Sequence, residues 1–149
     1  MNINRFLTAA ARALLGLLFT FSGLNGFLQF APMSTEGMPA GAMAFSTALG
    51  ETGYMMQLTM GVELVVGVLL LVNRFVPLAL ALLAPVVVNI VAFHVFLAPA
   101  GTGMSLVIAA FEVYLAWAYR AAFRPMLRPS ITAPAPASPA VASSAPVTT

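Results

Sequence analysis

The sequence predicts an all-α integral membrane protein: a four-transmembrane-helix bundle with a short interfacial helix between spans 1 and 2. Three observations predict it. Sixty-one per cent of the residues are hydrophobic and 7 % are charged, whereas about a quarter of a soluble domain is charged. The 149 residues hold room for about four apolar runs of roughly 20 residues, each the length of a bilayer core. The basic residues stand at the ends of those runs, where topology places them. One transmembrane domain is expected over 1–128, with spans at about 8–30, 54–72, 75–97 and 104–119. A disordered Pro/Ala/Ser tail is expected over 129–149, which is uncharged and aperiodic.

Span 1 follows a basic start, Arg5 and Arg12. Its apolar run exceeds the usual signal-peptide core and no clean A-x-A site follows, so it reads as an uncleaved helix. Ser22, Asn25 and Gln29 lie at i, i+3, i+7 and share one face. Gly16 and Gly23, one heptad apart, predict close approach of another helix. The loop that follows is rich in Pro and Gly, but Met38, Ala42, Phe45 and Leu49 keep helical spacing. They predict a short helix lying on the membrane surface.

Span 2 contains QLTMGVELVVGVLLLV, with Glu63 in its middle and Gly67 one turn later on the same face. A carboxyl near the bilayer centre costs about 2.5–3.5 kcal/mol on insertion scales, so its presence calls for a partner or a use. A tight Asn73-Arg74 connection leads to span 3. There Pro77 fits the first turn, while the interior Pro85 is expected to kink the helix and free the carbonyl of Ala81. Span 4 carries Ser105, Glu112 and Tyr119 at heptad spacing, then Tyr114, Trp117 and Tyr119 as an interfacial aromatic belt.

All six basic residues are arginine. With four spans they fall on one side, Arg5, Arg12, Arg74, Arg120, Arg124 and Arg128, and the opposite loops hold only Glu36 and Glu51. The positive-inside rule then puts both termini in the cytoplasm. The Lys-free, Ala/Pro/Arg-rich composition fits a high-GC bacterial genome, hence a bacterial cytoplasmic (inner) membrane. The net charge of +2 does not point to nucleic acid, because membrane edges account for the arginines. Absence of cysteine excludes thiol electron relays, thiolate-held metals and iron–sulfur clusters. Absence of lysine excludes Schiff-base and P-loop lysine chemistry.

Placed by depth at about 1.5 Å per residue, Asn25, Gln29, Gln57 and His94 fall in the outer third. Glu63, Asn89 and Glu112 lie deeper. The expected result is a polar funnel that opens outward and ends on two carboxyls, with only edge residues near the cytoplasm. Desolvation favours the neutral carboxyl, so Glu63 and Glu112 are expected to share a proton, or one of them to pair with His94. Glu63 and His94 are the candidates for proton handling. Glu112, Asn89, Asn25, Gln57 and Gln29 are the candidates for ligand binding, against the plainer reading that they join helices by hydrogen bonds. No metal is expected: Asn89 and His94 point about 140° apart on one helix, and no di-iron E-x-x-H motif occurs.

Four stretches carry a family resemblance: RALLGLLFTFSGLN from Arg12, ELVVGVLLLVNR from Glu63, PVVVNIVAFHVFLAP from Pro85 and YLAWAYRAAFRP from Tyr114. In their order and spacing they resemble the DoxX family of small bacterial four-helix membrane proteins, over about 5–128. Relatives often carry a basic residue near the end of the first motif, where this chain has Asn25 and Gly26. The resemblance implies a place beside a quinone-linked oxidoreductase. The leading expectation is a redox-associated subunit whose polar pocket takes a quinone or similar lipid-soluble carrier, with no tightly bound cofactor. Electrons would come from a redox partner protein. The rivals are a non-catalytic structural subunit of a larger membrane complex and a small-solute transporter, the latter disfavoured by an apolar inner half. Soluble-enzyme motifs are missing: there is no G-x-S-x-G and no Gly-rich phosphate loop.

Overall fold

The computed structural model describes residues 3–31 and 36–125; the tail expected at 129–149 lies outside them. Among the described residues all regular structure is helical. The elements are α1 (Ile3–Leu28), α2 (Ala40–Glu51), α3 (Met55–Leu71), α4 (Val76–Phe96), a 3-10 turn (Pro99–Gly101), α5 (Thr102–Ala118) and α6 (Arg120–Phe123). In lipid every backbone group must find an internal partner, which is why apolar runs of this length fold as helices.

Three of these units are each long and apolar enough to cross a bilayer: α1, α4, and α5 with its leading turn. The 17 residues of α3 extend about 26 Å at 1.5 Å per residue, the lower end of a span. The short helix expected between spans 1 and 2 is α2, and it meets α3 at 92°. It therefore lies across the bundle end, with Ala42 buried and Phe45 against Phe93 of α4 at 5.7 Å.

Helices α1, α3, α4 and α5 close a ring in which α1 packs on α3, α3 on α4, α4 on α5 and α5 on α1. The core holds Leu15, Phe19, Val66, Leu70, Leu83 and Leu115. Large apolar residues such as Leu17, Phe21, Val65, Val88, Leu106 and Val113 are exposed on the outer faces. A belt of that size on several long helices marks a multi-pass membrane protein.

The α1–α3 seam is the closest. A Cβ added at Gly23 would stand 2.6 Å from the backbone nitrogen of Leu64, and one at Gly16 would stand 2.9 Å from the Leu71 side chain. A Cβ at Gly67 would meet the backbone of Thr20 and Phe19. Removing side chains here lets two backbones touch, and dispersion replaces the hydrophobic drive that lipid does not supply.

The helix ends are explained locally. Asn73, at φ 55°, ends α3 in a Schellman arrangement: Arg74 N–H donates to the Leu69 carbonyl at 3.0 Å and Asn73 N–H to Leu70 at 3.3 Å. The Arg12 guanidinium of α1 also donates to the carbonyls of Leu70 and Leu71. It neutralises the negative end of α3. Among the described residues helix α1 covers Ile3–Leu28, so it reaches some five residues before the span expected from about residue 8. Helix α4 runs without a break through Pro85.

Candidate functional site

The structure separates the polar residues that the sequence groups into a funnel. Glu63 sits on the buried face of α3 with Val66, Gly67 and Leu70, facing α1. Its Oε2 accepts a hydrogen bond from Ser22 Oγ at 2.7 Å. Ser22 comes from the polar face of α1 read in the sequence, but the other members of that face turn elsewhere. Asn25 closes on its own chain: its Nδ2 donates to the Ala31 carbonyl at 3.0 Å and its Oδ1 accepts from Ala31 N–H at 2.7 Å. Gln29, at φ 49°, is an exposed residue just past the helix end. Gln57 is exposed on the first turns of α3.

His94 is half-buried beneath the 3-10 turn, where a Cβ on Gly101 would collide with its ring. Its Nδ1 pairs with the Ile90 carbonyl at 2.8 Å, one turn back on α4. Asn89 is exposed. It stands two residues, about 200°, from buried Val87, so the packing of α4 turns it outward. Glu63, Glu112 and His94 therefore form no common hydrogen-bonded cluster. Glu63 bonds to Ser22 and His94 to Ile90, while Glu112 makes neither contact. Among the described residues no three His, Asp or Glu side chains gather as a metal site.

Glu112 has a different setting. It shares the buried face of α5 with Ser105 and Leu115, as its heptad spacing predicts. Its Oε1 is shut away and has no hydrogen-bond partner. The residue also borders a groove of about 670 Å³ between α4 and α5. Leu80 and Phe96 mark the groove's ends along α4, about 24 Å apart at 1.5 Å per residue. Its floor is made of small residues, Ala81, Ala84, Ala92, Ala109 and Ala116, and Glu112 is its one ionisable group. Sequence reasoning missed this groove. Its signal was Ala109, Glu112 and Ala116 at i, i+3, i+7, facing an Ala81/Ala84 pair at i, i+3.

A second cavity, of about 580 Å³, lies at the end of the bundle that carries the arginines. Arg5, Arg12 and Arg120 border it together with Asn73, Tyr114 and Trp117. The expectation that this end holds only edge residues is corrected here: the first turns of α1 and the last turn of α5 enclose polar space. The readable signal was Arg5, Thr8 and Arg12 at i, i+3, i+7.

Compared with protein-family models, curated proteins and solved structures, the chain matches none. What can be said of its class rests on the helices themselves: an all-helical, multi-pass membrane protein.

Proposed function

We propose that this chain is a four-span, DoxX-like subunit of a bacterial inner membrane, with both termini cytoplasmic, that binds a quinone or similar lipid-soluble carrier between α4 and α5. The observation that carries this reading is the apolar groove of about 670 Å³ with a carboxyl partway along it. Its volume lies in the range of small-molecule sites, which are mostly apolar with a few placed polar groups. An isoprenoid tail suits the alanine floor, and the acid form of Glu112 would donate a hydrogen bond to a headgroup carbonyl. A bound quinone supplies two-electron, two-proton chemistry, and a partner protein delivers the electrons. Of the sequence candidates this reading keeps Glu112 for ligand binding and gives proton handling to neither Glu63 nor His94, since those two hold internal partners.

The test uses the full chain in lipid nanodiscs doped with ubiquinone or menaquinone, with retained quinone extracted and quantified. About one quinone per chain is expected for the native protein. Ala84→Phe fills the groove from an exposed position and should lower retention about tenfold; Glu112→Gln should lower it by a smaller factor. Retention no greater than in empty nanodiscs, or equal in all three proteins, would overturn the reading.

A second reading has its own support. The bonds of Ser22 with Glu63, Asn25 with Ala31 and His94 with Ile90 are all internal, as in a non-catalytic subunit held together for assembly with a larger complex. Under that reading a larger complex co-purifies and neither Ala84→Phe nor Glu112→Gln alters it.

A further inference from the structure

The cavity at the arginine end gathers positive charge without its complement. Arg5, Arg12 and Arg120 border it and no acid does. The chain's acids are Glu36, Glu51, Glu63 and Glu112. Glu63 is bonded to Ser22 and Glu112 borders the α4/α5 groove; Glu36 and Glu51 belong to the segment around α2.

The three guanidiniums are held differently. Arg12 directs Nη1 at the end of α3, which leaves its other N–H groups available. Arg120 lies 4.5 Å over the Trp117 ring and donates Nη1 to the Trp117 carbonyl at 3.0 Å. Stacking and that bond fix its plane, as suits planar recognition of an oxyanion. Arg5 is exposed and has no ion pair or hydrogen bond among the described residues. The cavity wall is also structured: Tyr114 Oη and Thr8 Oγ1 are 3.1 Å apart and join α5 to α1. Asn73 adds a side-chain amide, and Trp117 and Tyr119 place the cavity at headgroup depth.

We infer that this cavity binds a phosphate-bearing anion, held by Arg5, Arg12 and Arg120. The inference is independent of the quinone reading, which concerns a different face. Basic pockets between membrane helices take anionic lipid headgroups, and a soluble phosphate would meet the same three guanidiniums.

The full chain in phosphatidylcholine nanodiscs with a minority of phosphatidylglycerol, read by native mass spectrometry of retained lipid, tests the first source. Inorganic phosphate titrated into phosphatidylcholine-only nanodiscs, read by thermal shift, tests the second. Preference for phosphatidylglycerol without a phosphate shift identifies a lipid headgroup; a phosphate shift without lipid preference identifies a soluble anion. In the arm that responds, Arg5→Gln and Arg120→Gln should each weaken binding about fivefold. Arg74→Gln, an exposed arginine at the same end but outside the cavity, should change it less than about twofold. Equal losses at Arg74 and Arg5 would mean surface charge rather than a site. That result, or no response in either arm, overturns the inference.

Discussion

Glu63 and Glu112 are both buried, at 8 % and 7 % exposure, yet their neighbours give them opposite tasks. Glu63 meets a hydroxyl across the α1–α3 seam, where the partner was supplied by the helix it packs on. Glu112 borders a groove and its inner oxygen has no partner. The seam around Glu63 owes its closeness to single missing methyl groups, so a residue-scale test belongs there. Gly23→Ala presses a Cβ onto the Leu64 backbone, which cannot move aside as a side chain tip can. Overpacking of this kind costs about 1–3 kcal/mol, and the protein should unfold at lower denaturant in detergent micelles. Gly50→Ala, in α2 with open space around it, should be neutral or stabilising by about 0.4–1 kcal/mol. Equal effects at the two positions would show that the seam is not tight.

At the scale of the element, α3 depends on its neighbour for its end. Its last carbonyls receive Arg12 from α1 in addition to its own Schellman turn. A cation at a helix C-terminus contributes about 0.3–1 kcal/mol, up to about 2 when partly buried. Arg12→Gln should therefore fray the end of α3: amide exchange at Val72, Asn73 and Arg74 should quicken about fivefold, while α5 stays as it was. Unchanged exchange would show that the turn suffices alone. The helices themselves were legible in the sequence because their apolar runs end at Pro, Gly, Asn and Arg. So were the packing glycines of α1 and the buried Ser105–Glu112 face, each carried by periodicity within one helix. The groove, the arginine cavity and the outward turn of Asn89 were not. They depend on which faces of two helices meet, and apart from Asn89 and His94 α4 is apolar on every side, so no stripe marked its buried side.

At the scale of the whole molecule, the distribution of charge relates the bundle to its membrane. Arg5, Arg12, Arg74 and Arg120 lie at one end of the ring of helices, at the start of α1, the α3–α4 turn and the close of α5. The opposite end carries α2 and the 3-10 turn, with Glu51 in the last turn of α2, Glu36 shortly before that helix and no arginine among the described residues there. Positive ends are retained on the cytoplasmic side during insertion, and an anionic inner leaflet then favours the same arrangement. The chain has no cysteine, so a single introduced thiol reports its own side without background. Ala100→Cys lies exposed in the 3-10 turn and Ala122→Cys lies exposed in α6; neither position carries charge, so neither change disturbs the arginine pattern. A membrane-impermeant maleimide should label Ala100→Cys in intact bacterial cells and label Ala122→Cys only after the membrane is permeabilised. The reverse pattern would invert the bundle and place the arginine cavity on the outer leaflet. Labelling of both in intact cells would mean that α5 does not cross.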